Sequence, residues 1–313
     1  MPILQLLVFL GSFVMIWYGS GKIVASADHF SKKLKISSFA FSFLILGILT
    51  STPEFAVGMT AISEGKPSIY MGNLIGGVPV LFLFVIPLLA IFGNGLKLHK
   101  SISQKNLLFS FLVMLAPAFF VLDGTVDVFE SIILVALYIA LVFLIQREKG
   151  VLDTANQTFL NSHSYSLKDI FNVLFGVGLV FVASHYIVEG ALYFADFFTI
   201  SPFFISLILL SFGTNLPELS LAVKAVISGK KDVAFGDYVG SATANTLLFG
   251  FFGIIYGKNA TVTEHFLPAF VMLAVGLFIF FFFARSKKEL SRKEGLILIG
   301  LFIFFGLLQL WQE

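Results

Sequence analysis

An internal repeat constrains the fold of this chain more than any other feature of its sequence. Residues 20–93 align without a gap to residues 184–257, an offset of 164 positions, and 21 of the 74 aligned residues are identical. Each copy places a glutamate, Glu54 or Glu218, directly after a proline in a strongly apolar stretch. A carboxylate in such a stretch is costly and usually has a function. One such acid in each half of a duplicated chain is typical of a membrane transporter.

The composition indicates an integral membrane protein. Hydrophobic residues make up 58% of the chain and charged residues 12%, far from the balance of a soluble domain. A net charge of +2 with dispersed basic clusters gives no case for nucleic-acid binding. The absence of cysteine excludes disulfides, thiolate zinc sites and iron–sulfur clusters. Because no catalytic or phosphate-binding motif appears, we expect neither an enzymatic function nor a cofactor.

Ten apolar runs are long enough to cross the hydrocarbon core of a bilayer, which takes roughly 20 residues per helix. They lie at 3–26, 36–63, 68–93, 105–122, 126–146, 168–195, 200–228, 232–256, 265–285 and 293–311. We therefore predict an all-α integral membrane protein of ten transmembrane helices. They would form two five-helix repeats, 1–146 and 168–313, joined by a cytoplasmic linker at 147–167.

The distribution of basic residues between loops predicts the orientation. With the N-terminus outside, the inner loops hold sixteen of the 20 Lys and Arg residues, and the outer loops keep only Lys66 and Lys258. This bias predicts an N-out, C-out topology. Because five helices per repeat is an odd number, the second repeat would be inverted. Glu54 and Glu218 would then reach the same depth from opposite sides of the membrane.

The residues around each glutamate predict a cation site. Each proline should break or kink its helix and free backbone carbonyls. Such carbonyls, hydroxyl or amide oxygens and a carboxylate together suit hard cations such as Ca²⁺ and Na⁺. Two facing carboxylates would repel unless they held a divalent cation, two monovalent cations or protons. The alternative, a kinked helix whose glutamate bonds a neighbour, is less favoured when two copies occur in register.

Each glutamate segment is followed by a segment rich in small residues, 72–81 in the first copy and 236–245 in the second. Small residues permit close helix approach, so we expect each of these segments to form the opposing wall of the site. With these walls, the sequence resembles the two alpha-repeats of the sodium/calcium exchanger family, within the calcium/cation antiporter superfamily. The first signature spans 47–81, with the match at 50–54. The second spans 211–245, with the match at 213–219 and 236–241.

The resemblance implies a set of metal ligands. Glu54 and Glu218 would coordinate Ca²⁺ and compete for the counter-ion. Further oxygens would come from Thr50, Ser51, Thr214, Asn215, Ser241 and Asn245.

Three positions depart from the family pattern. Gly77 and Leu81 stand where the family has a serine and then an Asn or Asp, so one wall lacks two side-chain ligands. Asp237 replaces the usual Asn, which Asn73 retains. Pairing of Asp237 with Lys22 or Lys224, or a part in proton movement, are the roles that the sequence leaves open for it.

We therefore expect a secondary active antiporter that exchanges Ca²⁺ for Na⁺ by alternating access, with spans 1 and 6 sliding across the core. A proton-coupled exchanger of Ca²⁺ or another divalent cation is the first alternative. A degenerate member acting as a passive pore or non-transporting partner is the second, and Gly77 and Leu81 favour it. The expected surroundings are the lipid bilayer of a prokaryotic inner membrane, and a monomer is compatible with the sequence.

His185 and Glu189 lie one helical turn apart in span 6 and should share a helix face. A structural hydrogen-bonded pair is favoured there over a proton relay.

Overall fold

The chain folds into helices joined by short loops. The computed structural model describes residues 2–30, 43, 47–97, 103–149, 167–220, 223, 231–262, 266–286 and 289–312. The helices are α1 (Pro2–Phe30), α2 (Gly47–Thr50), α3 (Thr52–Ser63), α4 (Pro67–Pro79 continuing through Val80–Val85 and Ile86–Phe92), α5 (Gln104–Phe120), α6 (Val128–Lys149), α7 (Leu167–Phe198), α8 (Pro202–Ile205 continuing through Ser206–Leu210 and Ser211–Thr214), α9 (216–220), α10 (Lys231–Tyr256), α11 (Leu267–Ser286) and α12 (Arg292–Gln312). The strands are β1 (Leu96–Lys97), β2 (Thr125–Val126), β3 (Ala260–Thr261) and β4 (Glu289–Leu290).

The predicted helical membrane architecture is confirmed, whereas the count of ten transmembrane helices stays a prediction. Eight helical segments within the described residues are long and apolar enough to cross a membrane. They are Pro2–Lys22, Pro67–Phe92, Gln104–Asp123, Val128–Gln146, Phe171–Phe198, Pro202–Ser220, Phe235–Tyr256 and Leu267–Arg285. Part of the predicted run at 36–63 and most of the linker at 147–167 lie outside the described residues. The chain is thus a multi-pass membrane protein.

Both proline-containing signature helices are interrupted where the sequence predicts. α2 ends at Thr50 and α3 begins at Thr52, with Glu54 in its first turn. The interruption is a kink, because the Phe55 amide still donates to the Ser51 carbonyl at 3.0 Å. The Leu49 carbonyl, which faces the missing amide of Pro53, accepts the Thr52 hydroxyl at 2.6 Å. In the first copy, the Thr52 hydroxyl therefore takes the place of the amide that proline lacks, and whether the breaks free other carbonyls for an ion stays a prediction.

α4 and α8 contain π-helical segments, Val80–Val85 and Ser206–Leu210. Residue Phe43 is π-helical as well, and its repeat equivalent (43 + 164 = 207) lies inside the α8 segment. A π-helical turn shifts the register of the side chains that follow it and often occurs at functional sites. In α8 the shift directly precedes Ser211–Thr214, the last turn before the kink.

The signature helices cross at glycines, which allow the backbones to touch. A side chain on Gly76 of α4 would collide with the Leu207 carbonyl of α8, and one on Gly240 of α10 with the Phe43 carbonyl. The two contacts are repeat images of each other, because 76 + 164 = 240 and 43 + 164 = 207. Close packing of this kind is how membrane helices associate when lipid provides no hydrophobic drive.

Two short antiparallel ladders tie loops of the two halves together. β1 pairs with β4 through Leu96 and Leu290, and β2 pairs with β3 through Val126 and Ala260. Adding 164 to Leu96 gives Ala260, and adding it to Val126 gives Leu290, so each ladder is the repeat image of the other. Two-residue strands are not visible as a sequence pattern, and the all-α prediction did not include them.

Candidate cation site between the two halves

Two glutamates from different halves form the centre of the site. Glu54, in the first turn of α3, and Glu218, in α9, are 1% and 0% exposed. The Glu54 Oε1 atom accepts the side-chain amide of Asn215 at 3.3 Å, and the Glu218 Oε1 atom accepts the Ser241 hydroxyl at 3.0 Å. Both glutamates that the repeat singles out are therefore buried, each with a polar side chain of the same network as its partner.

Hydroxyl groups connect the two signature segments to the opposite walls. Thr50 Oγ1 of α2 donates to Asp237 Oδ1 of α10 at 3.3 Å, and Thr214 Oγ1 of α8 donates to Asn73 Oδ1 of α4 at 3.1 Å. These two bonds are repeat images of each other. The hydroxyls of Ser51 and Ser241 lie 3.3 Å apart. Hydrogen bonds between polar side chains thus join the two halves in an otherwise apolar interior.

Several buried oxygens in this network have no hydrogen-bond partner among the described residues. They are Glu54 Oε2, Asn215 Oδ1, Glu218 Oε2, Asp237 Oδ2 and Asn245 Oδ1. The side-chain amide nitrogens of the two asparagines are already occupied, since Asn215 Nδ2 donates to Ser211 and Glu54 and Asn245 Nδ2 donates to Leu74. Unpaired buried acceptors are unfavourable unless something positive completes them. Carboxylate and amide oxygens are the ligands that hard cations prefer.

Gly77 has a physical reason in this arrangement. A Cβ atom at Gly77 would lie 2.5 Å from Asn245 Nδ2 and 3.3 Å from Asn215 Nδ2. The absence of a side chain at Gly77 therefore lets the Asn245 amide reach across and donate to the Leu74 carbonyl at 3.1 Å. Leu81 lies in the π-helical segment of α4 and is buried in the apolar core. The first-half wall thus lacks polar side chains at 77 and 81.

The polar groups are concentrated on the second-half wall. Asp237, Ser241 and Asn245 recur every four residues on α10, so they share one helix face, and all three are buried. Among the described residues, no three His, Cys, Asp or Glu side chains gather as a metal cluster. A cation here would therefore need amide and hydroxyl oxygens in addition to the glutamate pair.

Asp237 accepts a hydrogen bond from Thr50, a partner that the sequence did not suggest. Asp237 does not pair with Lys22, whose Nζ atom lies 5.4 Å from the centre of the Tyr18 ring, and Lys224 lies outside the described residues. The sequence suggested lysine pairing or proton movement for Asp237 and no role for Asn73, so their contacts with the two threonines were not predicted. The signal that could have identified them is their shared repeat position, 73 + 164 = 237, each opposite a repeated threonine.

His185 joins two helices at a separate place. Its Nε2 atom lies 3.8 Å from Glu189 Oε1, as the one-turn spacing predicts, and its Nδ1 atom lies 3.3 Å from Glu64 Oε1 at the end of α3. Glu64 was not anticipated, because the contact depends on how α3 packs on α7. All three side chains are partly exposed, so the cluster is distinct in character from the buried carboxylate site.

Fold and site together define a multi-pass membrane protein with an oxygen-lined site buried between two halves. The chain belongs to the sodium/calcium exchanger protein family, whose model matches residues 4–146 and 169–311. The chain is 25% identical to the putative antiporter CaxA of Alkalimonas amylolytica over 311 residues, 97% of each chain. It is also 25% identical to the sodium/calcium exchanger MaX1 of Methanosarcina acetivorans over 339 residues, 96% of each chain.

Solved structures show the same fold. The H⁺/Ca²⁺ exchanger CAX superimposes with a TM-score of 0.77 at 18% identity, over 97% of this chain and 85% of that one. The sodium-calcium exchanger NCX_Mj superimposes with a TM-score of 0.68 at 23% identity, over 97% and 98% of the two chains.

Proposed function

We propose that this protein is a secondary active antiporter that exchanges Ca²⁺ for Na⁺ by alternating access. The observation that carries the proposal is the pair of buried carboxylates, Glu54 and Glu218, each with one oxygen that has no partner among the described residues. Free amide oxygens of Asn215 and Asn245 belong to the same network. The names of the relatives, an antiporter and a sodium/calcium exchanger, support the same activity.

Charge balance gives the coupling mechanism. Both carboxylates are bonded only to neutral groups within the described part of the chain. Ca²⁺ would neutralise the pair, and its departure would leave two close negative charges in a medium of low dielectric constant. Na⁺ ions or protons must then enter before the empty carrier can change its orientation. Exchange is obligatory for this reason.

The proposed architecture has ten transmembrane helices in two inverted five-helix repeats, with both termini outside. Repeats at 1–146 and 168–313, separated by the linker 147–167, agree with a family model that matches twice. The two ladders support the loop assignment, because each pairs loops that the charge bias places on the same side. The bacterial and archaeal relatives favour a prokaryotic cell membrane, and we propose neither a cofactor nor an enzymatic role.

We assign the moving part to α1 and α7, which pack closely together. A Cβ atom at Gly19 of α1 would lie 2.9 Å from the Gly176 carbonyl of α7. Both helices contact the signature helices through apolar groups: Phe13 of α1 lies over Gly213, and Val180 of α7 packs on Ala56. These apolar contacts have no directional bonds to break, so sliding of this pair would have to exchange, among the described residues, only the polar contacts of α7 with α3, namely the Thr60–Ser184 hydrogen bond of 2.9 Å and the His185–Glu64 contact of 3.3 Å.

Proton coupling is the second candidate, and the apolar character of Gly77 and Leu81 favours it. Fewer side-chain ligands leave less capacity for Na⁺ ions, whereas protons need no coordination shell. A degenerate family member that acts as a passive pore or as a non-transporting partner is favoured by the same two residues.

Uptake of radioactive Ca²⁺ into proteoliposomes tests these candidates. We expect uptake that follows an outward Na⁺ gradient at constant pH and that is absent in vesicles containing Glu54→Gln or Glu218→Gln. Uptake that follows only a pH gradient would show that the counter-ion is the proton and not Na⁺. If the wild-type protein is folded, as judged by its helical circular dichroism spectrum, and shows no Ca²⁺ uptake with either gradient, the antiporter proposal is refuted.

A further inference from the structure

We propose that Asp237 and Asn73 are positioning residues that fix the hydroxyl protons of Thr50 and Thr214, so that the hydroxyl lone pairs face the cation. This inference rests on the proposed function, because it names what orients two ligands of the same site. The two acceptors are repeat equivalents (73 + 164 = 237), and so are the two donors (50 + 164 = 214). The structure pairs each threonine with the acceptor of the opposite half.

A threonine hydroxyl has one proton and two lone pairs, so the direction of the proton decides where the oxygen can bind a cation. Thr50 and Thr214 are fully buried, and water cannot accept their protons. Side chains that take up the proton of a metal ligand orient that ligand and strengthen it. Asp237 and Asn73 occupy this place behind the two threonines.

The difference between Asp237 and Asn73 follows from competition for the proton. Thr214 Oγ1 lies 3.1 Å from Asn73 Oδ1 and 3.4 Å from the Ser211 carbonyl, so a neutral amide is the nearer acceptor. Thr50 Oγ1 lies 3.3 Å from Asp237 Oδ1 and also 3.3 Å from the Gly47 carbonyl, so distance does not choose between them. Asp237 therefore competes with the Gly47 carbonyl on equal terms for this proton, whereas Asn73 is the nearer acceptor for Thr214. The half with two equidistant acceptors is the half that has the carboxylate.

Asp237 acts through Thr50 in this scheme and does not bind the cation itself. Its carboxylate is buried on α10, with Oδ1 on the Thr50 hydroxyl. Its effect on cation binding should therefore disappear when the Thr50 hydroxyl is removed.

A double-mutant cycle tests the inference with Ca²⁺ as the titrant in calorimetry on the purified full-length protein. Asp237→Leu removes the acceptor and keeps the number of side-chain heavy atoms, whereas Asp237→Asn keeps an acceptor oxygen. We expect Asp237→Leu to weaken Ca²⁺ binding by about 10- to 100-fold, as is usual for such partners. Asp237→Asn should weaken it less. In a Thr50→Val background, neither change should alter binding further, because non-additivity marks residues that act together.

Two controls complete the design. Asn73→Leu, the repeat image of Asp237→Leu, should cause a loss of the same order that disappears in a Thr214→Val background. Tyr70→Phe removes a buried hydroxyl of α4 that has no partner among the described residues, and it should leave Ca²⁺ binding unchanged.

The inference is overturned if Asp237→Leu and Asp237→Asn bind Ca²⁺ like wild type, or if they lose affinity equally with and without the Thr50 hydroxyl. If Asp237→Leu does not fold, the same comparison with Asp237→Asn decides. Failure of the proposed function looks different: the wild type would then bind no Ca²⁺, and Glu54→Gln would change nothing.

Discussion

At the residue scale, the two glutamates occupy equivalent positions but have different partners. Glu54 accepts an amide from Asn215, whereas Glu218 accepts a hydroxyl from Ser241. The difference follows from the sequence, since Asn215 stands where the first copy has Ser51, and Ser241 where it has Gly77. The glutamates themselves are therefore symmetric, whereas the neutral groups that bond them are not.

Replacing either glutamate by glutamine should remove the response of the protein to Ca²⁺. For the wild type, Ca²⁺ at a hundred times its Kd should stabilise the folded state by about 2.7 kcal/mol. Glu54→Gln and Glu218→Gln should lose this stabilisation and should unfold at a higher temperature than wild type in EDTA, because an uncompensated buried charge is gone. Thermal unfolding in detergent with Ca²⁺ and with EDTA measures both effects. A Ca²⁺-dependent rise in Tm that persists in both variants would contradict the assignment.

The two buried glutamates could be predicted from the sequence because a repeated Pro-Glu pair in an apolar stretch is a local signal. The contacts that complete the site could not, since they depend on distances between helices. Asn245 reaches Leu74 only because Gly77 leaves room for it, and Gly77 read from the sequence alone appears as a missing ligand. Likewise, the hydrogen bond between Thr50 and Asp237 could not be predicted, because it depends on how α2 packs against α10.

At the element scale, the crossings of signature helices at glycine determine how closely the two halves approach. Gly76 lies against the Leu207 carbonyl and Gly240 against the Phe43 carbonyl, so backbone meets backbone at both. Apolar runs in the sequence predicted which helices exist, and small residues predicted close approach. Which helix each glycine faces was not predictable, because the same small residues could pack against any neighbour.

Alanine at these crossings should destabilise the fold. Gly76→Ala and Gly240→Ala each force a methyl group into a carbonyl oxygen, and overpacking of this kind costs about 1–3 kcal/mol. Gly11→Ala in α1 and Gly300→Ala in α12 are matched controls, since nothing lies within 4 Å of a Cβ atom at either position. The controls should be neutral or stabilising by up to about 1 kcal/mol. Denaturant unfolding in detergent micelles compares the four variants, and equal effects at crossings and controls would refute the proposed crossings.

At the scale of the whole molecule, the repeat relates contacts as well as residues. Each half contributes its last helix to the other half: α6 packs on α10 near Gly250, and α12 packs on α4 near Gly295. These helices are repeat images, since 128 + 164 = 292 and 67 + 164 = 231 give their first residues. Together with the exchanged ladders, this interlocking means that neither half has a complete set of neighbours alone. The two repeats should therefore fold as one unit.

The inverted arrangement makes a prediction about repeat-equivalent positions, which should lie on opposite sides of the membrane. Asn94 and Lys258 are such a pair (94 + 164 = 258), and both are exposed in loops. The chain has no cysteine, so single-cysteine variants need no background substitutions. In right-side-out vesicles, a membrane-impermeant thiol reagent should label Lys258→Cys readily. It should label Asn94→Cys only after the membrane is permeabilised. Thr261→Cys, in the loop that follows Lys258, should behave like Lys258→Cys, and labelling of Asn94→Cys and Lys258→Cys from the same side would exclude the inverted topology.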